Sequence, residues 1–212
     1  MQMPSLIPEP GSLFDRITTV VLANLLWSVF AMLIITLPAA TAGLFAVLAP
    51  LARGRDTEIF ATFFGTMRRQ WFKSTVILVG DIVIGVVITI NVNVLDLMDP
   101  PCLMFWFFRS MYAFIVITAL MVNLYVWPLL VLFDLDLRRL VTVSLRLAFA
   151  HALWSLFTLG LALLPLVLIV YVPPMLSVVV VVSAIVLIIN WGTWRIIEKY
   201  ATPEELARLN QS

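Results

Sequence analysis

The sequence predicts an all-α, polytopic helical membrane protein of about six membrane segments, and three observations carry that prediction. Of its 212 residues, 63% are apolar and only 12% charged, against roughly half and about a quarter in soluble domains. The mean hydropathy of +1.10 is an excess that a chain of this size cannot hide in a core, because much of its surface must remain exposed. The apolar residues also fall in runs separated by short charged segments. Most of these runs are long enough to cross about 30 Å of hydrocarbon at about 1.5 Å per residue.

Residues 1–12 read as a short flexible lead, polar and rich in Pro and Gly. They lack the basic start and small-residue cleavage site of a signal peptide, so the first apolar run is expected to stay as a membrane helix. That run is Ile17–Leu37, opened by Asp15 and Arg16 and ended or kinked by Pro38, since proline lacks an N–H and clashes with the preceding turn. Ala39–Ala52 is apolar but amounts to roughly 21 Å of helix. It reads as a short return helix, a re-entrant piece or a kinked continuation. Its small pairs Ala39/Gly43 and Ala42/Ala46 let helix backbones approach closely. Arg53–Lys73 interleaves five cations with aromatics, and the spacing of Phe60, Phe63/Phe64, Met67 and Trp71 puts them on one helical face. This predicts an amphipathic helix in the membrane interface, with Arg68, Arg69, Trp71 and Lys73 as lipid- or partner-docking residues.

Thr75–Leu95 is the next predicted span, interrupted by Gly80, Asp81 and Gly85, and Asp96–Cys102 is a loop. Leu103–Phe133 is longer than a bilayer requires, so it tilts or begins at the interface. Asp134–Ala150 is charged, and Ala152–Val172 and Met175–Trp191 form a hairpin about Pro173-Pro174. In the tail, Thr202-Pro203-Glu204-Glu205 reads as an N-cap, a first-turn proline and acids placed against the helix dipole. The expected organisation is a single membrane domain over residues 13–200 with a short cytoplasmic helix or tail over 201–212. The segments 53–73, 134–150 and 192–212 hold five, three and three Lys/Arg, while the loops 96–102 and 172–174 hold none. The basic segments are therefore expected to be cytoplasmic. Both termini lie inside if Ala39–Ala52 crosses.

The residues Asn24-Leu25-Leu26-Trp27, Pro38, Ala40-Thr41-Ala42, Leu44-Phe45-Ala46-Val47 and Arg53-Gly54 resemble the YesL family of bacterial membrane proteins. The later Phe60, Phe63/Phe64 and Arg68–Lys73 extend the likeness, which covers residues 13–95 closely and the rest by its pattern of spans. The resemblance implies a bacterial inner-membrane protein with an association with carbohydrate uptake or utilisation. It transfers no catalytic residues. The motif positions Asn24, Trp27, Pro38, Thr41 and Gly54 also have a structural reading, Asn24 as an interhelical hydrogen bond and Trp27 as a packing or interfacial aromatic.

Charges at membrane depth are costly and point to function, which makes Asp81 the leading candidate. It reads as a proton- or cation-coupled site or a ligand contact, or as an acid near the interface neutralised by an arginine such as Arg109. Arg109 itself is close enough to the end of its run to snorkel. Asn91, Asn93 and Asn123 either line a polar path with Asp81 or bond between helices at about 0.6–2 kcal/mol. His151 is a lone interfacial histidine. The single Cys102 excludes an internal disulfide and a cysteine metal cluster. The sequence carries no phosphate-binding glycine loop, His-Glu metal motif or nucleophile elbow, so no enzymatic activity and no cofactor are expected.

Three functions compete at this level. The first is a non-enzymatic accessory to another membrane protein, such as a sugar transporter. The second is a small-solute transporter or substrate-binding membrane subunit using Asp81, and the third is a lipid or stress sensor. Membrane lipid is a partner in all three, and nucleic acid in none.

Overall fold

Each apolar run becomes a helix in the computed structural model, which describes residues 13–97, 103–170 and 174–211. The order is α1 (Leu13–Ala31), α2 (Leu37–Ala52), α3 (Ile59–Asp96), α4 (Leu103–Leu132), α5 (Leu137–Ala150), α6 (Ala152–Leu163), a 3-10 turn (Leu164–Val170), α7 (Pro174–Tyr200) and α8 (Pro203–Gln211). No strand occurs among the described residues. The N-terminal lead 1–12, Cys102 and the turn at Pro173 lie outside them.

Among the described residues, four helices are long and apolar enough to cross a membrane: α1, α3, α4 and α7 from Val180 onward. Helix α5 and the segment Ala152–Val167 pass the same criterion together as a pair bent by 99°, the form of a broken span or of a re-entrant loop. The predicted count of about six is reached only when the shorter α2, about 24 Å long, is added.

The central element is α2, which touches α1, α3, α4 and α7. Its Ala39, Ala40, Ala42, Leu44, Val47 and Leu48 are fully buried. The predicted first span is shorter than expected, because α1 stops at Ala31 rather than reaching Leu37. The Thr36 hydroxyl donates to Leu33 O at 3.0 Å and to Phe30 O, so a side chain competes there with the helical ladder. Pro38 then sits in the first turn of α2, where its missing N–H has no partner to lose. It opens the second helix instead of ending the first. At the other end Gly54 has φ +77, a left-handed conformation suited to glycine that closes α2.

The boundary expected between an interfacial helix and a span at Thr75 is absent. One helix of 38 residues runs from Ile59 to Asp96, about 57 Å. The predicted aromatic face also divides: Phe63 is buried, while Phe60, Phe64 and Trp71 are exposed. The packed stripe is instead Phe63, Thr66, Gln70 and Ser74, three and four residues apart, in keeping with the small and polar residues that join membrane helices. Gly43 makes the α2–α3 approach possible, since a Cβ there would lie 2.9 Å from Phe63 Cδ2 and 3.1 Å from Phe63 O.

Helix α5 is amphipathic. It buries Leu140, Ser144, Leu147 and Ala148 and exposes Arg138, Arg139 and Arg146. His151 leaves helical geometry at φ −124, ψ 44 to make the bend into α6. The Ser155 hydroxyl holds that bend by donating to Ala148 O at 3.2 Å and His151 O at 3.0 Å. At Pro165, which has no N–H for the α-helical ladder, α6 has tightened into a 3-10 turn. The tail helix α8 forms as predicted: Thr202 N donates to Glu205 Oε2 at 2.9 Å and Glu205 N to Thr202 Oγ1 at 3.3 Å, a reciprocal capping box.

Lys73, expected on a docking surface, ties α3 to the α4–α5 turn. Its Nζ donates to Asp134 Oδ1 at 2.7 Å and to Leu135 O at 3.0 Å. The hydrogen bond and positive charge of Lys73 hold the Asp134 carboxyl below the usual carboxylate range. A carboxyl depressed in the folded state contributes stability above its unfolded pKa, and the contribution is lost as pH falls through the folded value. Unfolding followed from pH 7 down to 3 is therefore expected to show an acid-dependent loss in the wild type that is diminished in Asp134→Asn. Equal acid sensitivity in both would remove Asp134 as a source.

Candidate functional site

Helices α3 and α4 form a hairpin whose outer part is built from exposed apolar side chains, among them Val79, Ile82, Val83, Val86, Val87 and Ile90 on α3. Polar contacts join the two helices at three levels. Asp81 Oδ1 accepts from Asn123 Nδ2 at 2.8 Å, Asn91 Oδ1 accepts from Tyr112 OH at 3.3 Å, and Asp96 pairs with Arg109 at 2.7 Å. The helical rise separates the first two levels by about 15 Å and the last two by about 8 Å.

The predicted set Asp81, Asn91, Asn123 and Arg109 is thus drawn to one helix pair but not to one site. Only Asp81 and Asn123 meet. Arg109 does not neutralise Asp81; it is committed to Asp96 and lies 5.5 Å over the Phe105 ring.

The inner pair is the most developed of the three. Asn123 Nδ2 also donates to Ala119 O at 3.2 Å, and its Oδ1 accepts from Trp127 Nε1 at 3.2 Å. Trp127 in turn stacks on Phe45 of α2 with centroids 5.9 Å apart. Two hydrogen bonds and a ring stack therefore link Asp81 to the central helix α2. Asp81 and Asn123 both line two clefts, one of about 450 Å³ bounded also by Ile77, Gly80, Phe114 and Val141, the other of about 270 Å³ bounded by Gly85, Ile88, Val116 and Leu120. A carboxylate has about four acceptor positions. One is used by Asn123, which leaves Asp81 able to accept from a hydroxyl, an amide or a cation entering either cleft. Among the described residues no three of His, Cys, Asp and Glu come together as metal ligands.

The motif positions build helix contacts. Asn24 Nδ2 donates to Ser183 Oγ of α7 at 2.6 Å, and Trp27 Nε1 donates to Thr41 Oγ1 of α2 at 3.2 Å. The interhelical reading of Asn24 and the packing reading of Trp27 both describe the structure. His151 Nε2 lies 3.0 Å from Tyr200 OH, a contact between the α5–α6 bend and the end of α7. Sequence reasoning does not single out Trp127 or Ser183 as partners. The four-residue spacing from Asn123 to Trp127 carries a signal for the first. A partner 159 residues from Asn24 leaves none.

Residues 20–92, from α1 to the outer part of α3, match the family described as a protein of unknown function, DUF624. Two relatives come from Bacillus subtilis (strain 168). YesL, an uncharacterised protein, is 28% identical over 134 residues, covering 60% of this chain and 61% of YesL. YteU, likewise uncharacterised, is 33% identical over 156 residues, covering 71% of this chain and 68% of YteU. No solved structure matches the chain. The matched region contains Asp81 and the motif positions but stops short of Asn123, so half of the polar pair is supplied by α4 outside it. By this similarity the chain belongs to the DUF624 family, together with YesL and YteU.

Proposed function

We propose that the chain is a non-enzymatic accessory protein of the bacterial inner membrane, its α3–α4 hairpin bedded against a transport protein and carbohydrate uptake the process it serves. The observation that carries this reading is the hairpin itself. Its outer apolar side chains are exposed along both helices, and Asp81, with acceptor positions to spare, opens to clefts bounded by α3 and α4. Polar side chains within an apolar helical surface are the groups that join membrane helices. In this reading the cation-rich segments 53–73, 134–150 and 192–212 face the cytoplasm, as does the C-terminus.

Affinity purification from native membranes tests it. The wild-type chain is expected to bring down the membrane subunit of a transporter, and Asp81→Leu to lower that recovery several-fold. Recovery of the chain alone, or equal recovery by the variant, would contradict the proposal.

A second reading is favoured by the larger Asp81 cleft, whose volume of about 450 Å³ lies within the range of small-molecule sites. Here the chain binds a solute directly. A sugar and vitamin panel screened by thermal shift separates the two, because only this reading expects a stabilising solute with no partner present and a response lost in Asp81→Asn.

A further inference from the structure

A cleft of about 340 Å³ lies where the end of α2, the first turns of α3, the end of α4 and the end of α8 meet. Its lining is unlike that of the clefts beside Asp81. Arg53, Arg69, Thr57, Thr62 and Thr66 line it, and among the described residues no Asp or Glu does. Thr62, Thr66 and Arg69 are four and three residues apart, on one face of α3. The Thr57 and Thr62 hydroxyl oxygens lie 3.2 Å from each other.

Among the described residues that line it, no acidic side chain balances the charge of this cleft. Arg53 Nε donates to Ala49 O at 3.2 Å and its Nη1 to Leu209 O at 3.3 Å, and its guanidinium lies 4.7 Å over the Trp194 ring. All three partners are neutral. Arg55 gives its own bond to the same Leu209 carbonyl, at 3.3 Å. Burial, then the like charge of Arg55, lowers the pKa of Arg53; an arginine nevertheless stays protonated, so the folded protein carries a half-buried cation. Arg69 is exposed. The carboxylate its charge reaches, Asp134, is already bonded by Lys73. Two guanidiniums offer the forked, charge-assisted donors that suit tetrahedral oxyanions, and hydroxyls add neutral donors beside them.

We propose that this cleft binds a phosphate-type anion, either a soluble phosphomonoester or the head group of an anionic phospholipid, gripped by Arg53 and Arg69 with the threonine hydroxyls as further donors. The site is separate from the Asp81 pair, and its ligand is an anion, which a carboxylate would repel.

The full chain in a neutral, phosphate-free detergent supplies the test. Thermal unfolding is followed against inorganic phosphate, glycerol phosphate and micelles doped with phosphatidic acid, with chloride at equal ionic strength and phosphatidylcholine as controls. The expected result is a saturable rise in Tm with at least one phosphate probe and with neither control. A response to the soluble probes assigns a phosphomonoester, and a response to phosphatidic acid alone assigns a lipid head group. Arg69→Gln changes an exposed side chain, so it keeps the fold; it is expected to weaken the responding probe by about tenfold or more, the effect of losing a charge-assisted bond. Thr62→Val is expected to weaken it less. No saturable response to any probe, an equal response to chloride, or unchanged affinity in Arg69→Gln would overturn the proposal.

Discussion

Phe63→Ala is expected to cost the fold about 3–5 kcal/mol, the range for removing a fully enclosed aromatic side chain. Phe63 has no exposed surface and forms tilted or edge contacts with Phe30 at 6.1 Å and Phe64 at 5.5 Å. The cavity contribution remains even where lipid replaces water, because the atoms lining the hole forfeit dispersion attraction that nothing else restores. The opposite change on the facing helix is also unfavourable. Gly43→Ala places a methyl against the Phe63 ring and its backbone carbonyl; an overpacking cost of about 1–3 kcal/mol, less about 1 kcal/mol of helix propensity, leaves a net loss of up to about 2 kcal/mol.

The two changes couple. With the Phe63 ring removed, the two nearest contacts of the added methyl are gone and only the Phe63 carbonyl remains beside it, so Gly43→Ala should cost clearly less in the Phe63→Ala background than in the wild type. Unfolding midpoints in mixed detergent micelles for both single variants and the double variant would show this. Strictly additive losses would mean that α2 and α3 do not approach through Gly43 and Phe63.

Gly192→Ala is the second large effect. Gly192 is buried on α7, and a Cβ there would lie 2.7 Å from Thr158 Oγ1, closer still to Thr158 Cγ2, and 3.1 Å from Thr158 Cβ. Rotating the threonine side chain cannot move its Cβ, and β-branching limits the rotamers open to it in a helix. Alanine gains about 1 kcal/mol of helix propensity over glycine, which offsets only part of an overpacking cost of about 1–3 kcal/mol. A net loss of up to about 2 kcal/mol follows.

Thr158→Ala should relieve it. That substitution removes both nearest atoms, and the Thr158 hydroxyl is buried with no hydrogen-bond partner among the described residues, so its loss forfeits none of their bonds. If Thr158→Ala fails to rescue Gly192→Ala in the same micelle unfolding assay, α6 and α7 do not meet at this point.

The apolar runs made the helices legible because membrane-depth backbone must satisfy its own hydrogen bonds. The tail was legible for a local reason, since the Thr202–Glu205 capping box lies within four residues. Helix joints were less so. Pro38 is compatible with ending a helix or opening one, and the deciding bonds come from the Thr36 hydroxyl to carbonyls of the turn before it. The charges of Arg68, Arg69 and Lys73 favoured a break before Thr75, yet the helix continues because Thr66, Gln70 and Ser74 bury against neighbouring helices. The amphipathic role passed from 53–73 to α5, where the sequence showed chiefly its charges.

Asp81 stood out as an acid in an apolar run, and Asn123 as an amide in another. Nothing local paired them across 42 positions, and nothing local separated them from Arg109. That choice depends on the register of α3 against α4, in which Arg109 meets Asp96 near the far end of the hairpin.

The proposal that the hairpin holds a partner is tested most directly by photo-crosslinking in native membranes, with a photoreactive residue at Ile84 or Val87 and a comparison position at Leu25 on α1. A discrete adduct with a transport-protein subunit is expected from both α3 positions, sharply reduced by Asp81→Leu and absent from Leu25. Lipid adducts alone at Ile84 and Val87, or the same protein adduct from Leu25, would contradict it.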